Sequence, residues 1–288
     1  ELVQTIGEFH LGAERAPLDT DYGDPQHIYH WVSENFQHIR PSLHSSDEIE
    51  QLEHIQQWSE SEQQRLVPLL QQRRQDGFVR ECHGDLHLGN ITLIDGRVTP
   101  FDCIEFNAEL RWIDVISEVA FLVMDLDDRG YSGFAFRFLN GYLQHGGDYA
   151  GLGMLRYYLV YRAMVRAKVA ILRRQQSEPE TETFRHASEE YEQYTRLAGK
   201  YISPQPTALF ITHGLSGSGK STLARQLCER AGMIQIRSDI ERKRLAGLAA
   251  EDRSHSETGA GLYTAGQTTA TYERLATLAT NALEAGYS

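Results

Sequence analysis

Long apolar runs and grouped cysteines are both missing from this sequence of 288 residues. No apolar run approaches about 18 residues, and the N-terminus lacks the pattern of a signal peptide, so neither a transmembrane helix nor a leader is predicted. The three cysteines, Cys82, Cys103 and Cys228, are scattered and lack metal-site spacing. Such thiols are typical of packing residues in a reducing compartment. We therefore expect a cytoplasmic protein with no membrane partner.

Basic residues are also scarce. The sequence has 28 Lys and Arg against 40 Asp and Glu, which gives a formal net charge of -12. This balance argues against a general nucleic-acid or membrane-surface binder, while a local basic cleft stays compatible with it. The length suggests two domains, and an apolar content of 41% is ordinary for a globular protein.

The clearest motif is a glycine-rich loop that fits G-x-x-x-x-G-K-[ST] at every fixed position. An apolar run at residues 207–212 precedes it and predicts a strand, and a helical stretch that ends at Gly232 follows it. Backbone N–H groups of such a loop, together with the helix N-terminus, bind phosphate oxygens. The sequence thus predicts a nucleoside triphosphate site. Its residues are Gly214, Leu215, Ser216, Gly217, Ser218, Gly219, Lys220, Ser221 and Thr222.

The residue types around this loop predict a kinase-like site. The Lys220 ammonium is expected to reach the β- and γ-phosphates, and the Ser221 hydroxyl to ligate Mg²⁺. Residues 233–237 predict a second strand, which would be parallel to the first, and Asp239 leaves it at the edge where ligands bind in α/β sheets. Asp239 is a candidate to deprotonate an incoming hydroxyl, with Arg242 one turn further along to balance phosphate charge. The alternative is that Asp239 only complements the N-terminus of its helix.

A second motif lies earlier in the chain. Residues 83–90 read H-x-D-x-x-x-x-N, and two short strands joined by an Asp-Gly turn are predicted to follow and to end at Asp102. Kinases place three groups around one γ-phosphate in this way. Asp85 would accept the proton of the substrate hydroxyl, and Asn90 and Asp102 would hold Mg²⁺. The alternative is that these residues merely populate turns.

The residues from His83 to Asn90, followed by Phe101-Asp102, resemble the aminoglycoside phosphotransferase-like kinases. With Arg111-Trp-Ile-Asp114 and Glu118-Val-Ala120, the chain looks like bacterial two-part proteins that join such a domain to a P-loop kinase. The resemblance implies a protein-kinase-like large lobe. It also implies that Glu118, which stands where the family has Asp, braces the catalytic loop.

The second half resembles small P-loop phosphotransferases such as polynucleotide 5′-kinases and gluconate kinases. That resemblance implies that Asp239 activates the acceptor hydroxyl and that Arg242 assists. Asp114 and Asp125 could equally be structural carboxylates that pair with Arg111 or Arg129.

We therefore expect residues 1–202 to form the mostly helical α+β large lobe of a kinase-like domain, and residues 203–288 to form the first half of an α/β P-loop domain with a parallel sheet. No lysine precedes Lys168 and no glycine-rich loop precedes residue 81. Either the small lobe was removed with the N-terminus, or this half binds nucleotide poorly. The strand expected after Gly286 is also missing from the sequence, so both ends of the chain are expected to be cut.

The expected function is an ATP- and Mg²⁺-dependent phosphotransferase that acts on a hydroxyl of a small molecule. One alternative makes only the P-loop half active, on a sugar or a nucleic-acid end, while the first domain selects the substrate. Another is an ATP-dependent regulatory switch. The sequence leaves the acceptor, the choice of ATP over GTP and the oligomeric state open.

Overall fold

The computed structural model describes residues 1–215, 217–249, 252, 262 and 264–288. These residues are mostly helical. The α-helices are α1 (Leu2–Gly12), α2 (Pro25–Ile39), α3 (Ser46–Gln75), α4 (Val115–Asp128), α5 (Ser132–Gly146), α6 (Leu152–Gln175), α7 (Glu182–Ile202), α8 (Lys220–Ala231), α9 (Ser238–Leu245) and α10 (Ala265–Glu284). Within this part of the chain, every helix is too short or too polar to span a lipid bilayer.

The chain divides into two compact units. One, here called the P-loop unit, comprises Glu1–Glu8, Ser132–Gly153 and Gln205–Ser288. The other, the hairpin unit, comprises Phe9–Tyr131 and Met154–Pro204. The expected domain boundary between residues 202 and 203 stays a prediction. The chain passes from the hairpin unit to the P-loop unit for the last time between Pro204 and Gln205, close to that position.

Helix α5 belongs to the P-loop unit and is hydrogen-bonded to the segment at residues 233–237. The buried Asn140 amide donates from Nδ2 to the Met233 carbonyl at 2.8 Å and accepts from the Gln235 N–H through Oδ1. A side-chain amide that satisfies two backbone groups fixes the position of an irregular segment. Sequence patterns around α5 give no sign of this bond.

The hairpin unit contains two small antiparallel sheets. Strands β1 (Val79–Glu81) and β4 (Trp112–Asp114) pair with Arg80 opposite Ile113. Strands β2 (Ile91–Ile94) and β3 (Arg97–Pro100) form a hairpin.

The turn of this hairpin confirms the Asp-Gly prediction. Asp95 and Gly96 have φ angles of 50° and 75°. These left-handed conformations are what a two-residue type I′ turn requires, and Asp and Gly tolerate them best. The second strand ends at Pro100, two residues before the predicted end at Asp102.

The core of the hairpin unit is built around helix α4, in which every residue from Val115 to Leu126 is buried. A helix that is apolar on all sides is expected to be enclosed by other elements. Its N-cap is Asp114, whose Oδ1 accepts from the Ile116 N–H at 2.8 Å. The same carboxylate accepts two hydrogen bonds from the guanidinium of Arg73, and both side chains are about 2% exposed.

The predicted parallel sheet of the P-loop unit is wrong for the residues that the structure describes. Residues 207–212 and 233–237 carry no regular strand, and residues 207–212 are exposed. The Ala208 and Ile234 N–H groups instead donate to the side chain and the carbonyl of Ser288. A parallel strand depends on flanking strands and covering helices, which a local pattern does not supply.

The buried Arg73–Asp114 pair yields a stability prediction. Arg73→Met leaves the Asp114 carboxylate buried without its counter-ion, so the free energy of unfolding of the hairpin unit should fall by about 3–5 kcal/mol. Urea unfolding followed by tryptophan fluorescence measures this, since Trp31, Trp58 and Trp112 all lie in that unit.

The matched control is Arg65→Met, which removes a surface ion pair with Glu62. Exposed pairs contribute only about 0–1 kcal/mol. Equal losses in the two variants would contradict a structural role for the buried pair.

Candidate functional site

The glycine-rich loop has the backbone shape that phosphate binding requires. Gly217 and Gly219 adopt φ angles of 77° and 85°, and Gly214 has a φ of 152°. These conformations strain any residue with a Cβ and turn successive N–H groups to one side. Helix α8 begins directly after Gly219, at Lys220, so its unpaired N–H groups face the same region. Ser216 lies outside the described residues.

The Lys220 ammonium is folded back onto this loop. Its Nζ donates to the carbonyl oxygens of Gly214, at 2.8 Å, and of Leu215, and it lies 3.4 Å from Ser218 Oγ. These partners are neutral, so a phosphate oxygen would form stronger hydrogen bonds with the same cation. Leu215, Ser218 and Thr222 are exposed.

A single pocket brings together Lys220, Ser221 and Asp239, three of the predicted site residues. It has about 800 Å³ of empty volume, its open mouth included. The Ser221 hydroxyl makes no hydrogen bond with any described residue, which leaves its oxygen available to a hard cation such as Mg²⁺. Asp239, by contrast, accepts two hydrogen bonds from Arg237, the shorter at 2.8 Å.

The structure does not bring Arg242 into this pocket. Its Nη1 donates to the Leu262 carbonyl and to Thr268 Oγ1, so the side chain is directed toward the start of α10. The cation beside Asp239 is Arg237, which lines the pocket and is not among the predicted site residues. The sequence feature that could have identified Arg237 is its position: it is a charged residue at the end of the predicted second strand, directly before the Ser-Asp pair.

Glu241 follows Asp239 on α9 and has a structural role. Its side chain is about 1% exposed and forms ion pairs with Arg244 and, at 3.2 Å, with Arg274 of α10. The pair with Arg274 ties α9, the helix that carries Asp239, to α10, whereas the pair with Arg244 lies within α9 itself.

In the hairpin unit, residues 83–90 form a loop that is closed by its own side chains. The Asn90 amide donates from Nδ2 to the Asp85 carbonyl and to Asp85 Oδ2, both at 3.0 Å. The His83 ring bonds through Nε2 to the Phe101 carbonyl at 2.8 Å, so His83 braces the loop against the hairpin. Asn90 Oδ1 receives no hydrogen bond from any described residue.

Asp102 stands next to this loop. The Phe101 N–H donates to the Asn90 carbonyl at 3.0 Å, which puts Asp102 one residue beyond the paired end of the hairpin. Asp102 is exposed and has a left-handed φ of 61°, an uncommon conformation for a residue with a side chain. Such strain is frequent at functional positions.

The Asp85 carboxyl is held in its charged form. Burial raises its pKa, but the hydrogen bond and positive charge of His87, the charge of Arg162 and the Asn90 amide outweigh burial, and the pKa is lowered. A lowered pKa keeps the carboxylate ionised at neutral pH, where it can orient a hydroxyl or attract a cation.

A buried glutamate, Glu118, is hydrogen-bonded to the backbone of this loop. Glu118 Oε1 accepts from the Gly84 N–H at 2.6 Å, and its Oε2 lies 2.7 Å from His10 Nε2. Burial raises the pKa of Glu118, but the hydrogen bond and charge of His10 and the backbone N–H donors of Gly84 and His83 lower it overall. No local sequence pattern marks this pairing, because His10 and Glu118 lie 108 residues apart in the chain.

Asp114 and Asp125, for which the sequence left the role undecided, also have hydrogen-bond and ion-pair partners. Asp125 Oδ2 accepts from the Leu88 N–H at 2.8 Å and pairs with Arg129 at 3.1 Å, as one reading expected. Asp114 pairs with Arg73, whereas Arg111 pairs with Glu81. Asp125 is therefore a second tie between α4 and the 83–90 loop.

The lowered pKa of Glu118 yields a prediction for acid stability. A carboxyl whose pKa is lower when folded contributes stability above its unfolded pKa of about 4.3 and loses it as the pH falls through the folded value. We expect the urea midpoint of the hairpin unit to fall between about pH 5 and pH 3, and part of this slope to be absent in Glu118→Gln. Glu53→Gln, on the surface of α3, is the control. An unchanged slope in Glu118→Gln would contradict the assignment.

Comparisons with known proteins agree with the P-loop assignment. Residues 209–288 match the family model described as AAA domain. The whole chain is 31% identical over 290 residues to Uncharacterized protein Mb2027c of Mycobacterium bovis and to Uncharacterized protein Rv2004c of Mycobacterium tuberculosis. It covers 56% of each, so the chain spans about half the length of the curated relatives it matches. Residues 209–288, which contain the glycine-rich loop, are thus similar to the AAA domain family.

Proposed function

We propose that this chain is part of a two-part phosphotransferase that transfers the γ-phosphoryl group of ATP to a hydroxyl group of a small molecule in the cytoplasm. The observation that carries the proposal is the pocket in which a P-loop lysine, a P-loop serine and a helix-borne aspartate meet. Positioning and charge stabilisation supply most of the catalysis in phosphoryl transfer, and these residues provide both.

The P-loop residues bind and orient the triphosphate. The loop N–H groups and the N-terminus of α8 surround the phosphate oxygens, and Lys220 exchanges its carbonyl partners for them. Ser221 would hold Mg²⁺, which neutralises charge on the phosphates when it is bound.

Asp239 is the proposed acceptor of the hydroxyl proton in this half. Its carboxylate is paired with Arg237, so this role requires the guanidinium to turn away. An incoming phosphate offers Arg237 an alternative anion of higher charge. We therefore assign to Arg237 the phosphate-balancing role that the sequence analysis gave to Arg242.

In the hairpin unit we propose an aminoglycoside phosphotransferase-like site. Asp85 accepts the hydroxyl proton, while Asn90 and Asp102 would hold Mg²⁺ through their oxygen atoms. Glu118 holds the Gly84 backbone, and so the loop, in place.

Two other functions follow from specific features. The second half could act alone, on a sugar or a nucleic-acid end, with the hairpin unit selecting the substrate, since residues 209–288 match a family model. Alternatively, the Arg237–Asp239 pair could serve a nucleotide-dependent switch in which hydrolysis is incidental. GTP in place of ATP remains compatible with all three.

Nucleotide binding is tested by Lys220→Ala. Loss of the ammonium–phosphate hydrogen bonds should weaken MgATP binding by about 10- to 100-fold in isothermal titration calorimetry. Lys200→Ala, whose ammonium pairs with Asp127 in the hairpin unit, should bind MgATP like the unaltered chain. Equal affinity in Lys220→Ala and Lys200→Ala would refute the site.

Acceptor-dependent release of ADP, with a metabolite pool and γ-labelled ATP, tests phosphoryl transfer. Asp239→Asn and Asp85→Asn should each lower the turnover of their own half by about 10²- to 10⁴-fold, because each removes a proton acceptor. Turnover lost in Asp239→Asn but kept in Asp85→Asn would favour the P-loop half acting alone. MgATP binding without turnover on any acceptor would favour the switch and overturn the kinase proposal.

A further inference from the structure

A pocket in the hairpin unit has no part in the function proposed above. It has about 510 Å³ of empty volume, its open mouth included, and we call it the aromatic pocket. Its walls include Tyr22, Trp31 and Trp112. The rings of Tyr22 and Trp112 are stacked with centroids 5.4 Å apart and planes 5° from parallel, which makes one wall flat and rigid.

The charge that is available in this pocket is negative. Asp21 and Glu109 both line it, and neither is in an ion pair with any residue that the structure describes. Glu109 accepts a hydrogen bond from Trp31 Nε1 at 3.2 Å, so a carboxylate and an indole ring are held side by side.

The two other charged groups of the lining are already satisfied. Asp114 is paired with Arg73. Arg162 donates to the Ser117 carbonyl, to Ser117 Oγ and to the Gly84 carbonyl, and its guanidinium lies over the ring of Phe121. The pocket therefore offers an incoming molecule aromatic rings and two uncompensated carboxylates.

A buried hydroxyl at the same pocket is without a partner. Tyr158 is 2% exposed and lines the pocket, and its hydroxyl makes no hydrogen bond within the described part of the chain. A buried polar group without a partner is costly, and such groups in native structures usually mark a bound water or ligand.

We propose that the aromatic pocket binds a small organic ammonium ion. Aromatic faces attract cations, and most strongly where water is excluded. Asp21 and Glu109 compensate the charge, while the Tyr158 hydroxyl accepts an N–H of the ammonium group. The proposal concerns binding alone and does not depend on phosphoryl transfer at either half.

Tryptophan fluorescence provides a direct test. The chain has three tryptophans, and Trp58→Phe leaves Trp31 and Trp112, both of which line the pocket. Protonated benzylamine at pH 7 should change the emission saturably and bind about tenfold more tightly than benzyl alcohol, a neutral molecule of similar size. Calorimetry on the unaltered chain gives the same comparison if Trp58→Phe does not fold.

Variants separate this site from weak surface binding. Glu109→Gln should weaken benzylammonium binding about five- to tenfold, whereas Glu53→Gln on α3 should leave it unchanged. Tyr158→Phe should weaken binding and also raise the melting temperature of the free chain, because it removes the unpartnered hydroxyl.

Equal affinity for benzylamine and benzyl alcohol would overturn the proposal. So would the absence of saturable binding, or equal affinities in Glu109→Gln and Glu53→Gln.

Discussion

The structure of the P-loop unit depends on a backbone that only glycine adopts without strain. Gly217 and Gly219 turn the loop through left-handed conformations, and α8 starts at the next residue. Because of this turn, the loop N–H groups and the N-terminus of α8 lie on the same side of the loop. The Lys220 ammonium is hydrogen-bonded there to two carbonyl oxygens and a hydroxyl, all of them neutral groups. A concentration of donors of this kind, with a cation at its centre, favours a multivalent anion.

The loop at residues 83–90 is held in its conformation by side-chain hydrogen bonds and not by a run of glycines. Residues 83–90 are held by Glu118 at Gly84, by Asp125 at Leu88 and by His83 at the hairpin. Two of these supports come from the buried helix α4, whose burial in the core makes it a rigid base. Asp85 and Asn90 are thus held together by the hydrogen bonds from the Asn90 amide to the Asp85 carbonyl and carboxylate.

The sequence predicted the features that are encoded locally. The Asp-Gly turn, the helix after Lys220 with its Gly232 end, and the grouping of Lys220, Ser221 and Asp239 depend on neighbouring residues or on one strand–loop–helix unit. Where distant partners decide the structure, the prediction was wrong or could not be made. The parallel strands depend on sheet neighbours, and Arg242 is drawn away from the pocket by a carbonyl and a hydroxyl at least 20 residues downstream. The aromatic pocket is likewise assembled from three segments far apart in the sequence, so no local pattern marks it.

Hydrogen–deuterium exchange at the glycine-rich loop tests the central claim most directly, because it reads the backbone N–H groups themselves. With MgATP, peptides that cover residues 214–222 should exchange more slowly, and adenosine, which lacks phosphates, should leave them unchanged. Unaltered exchange at residues 214–222 with saturating MgATP, or equal protection by adenosine, would contradict a phosphate site in this loop.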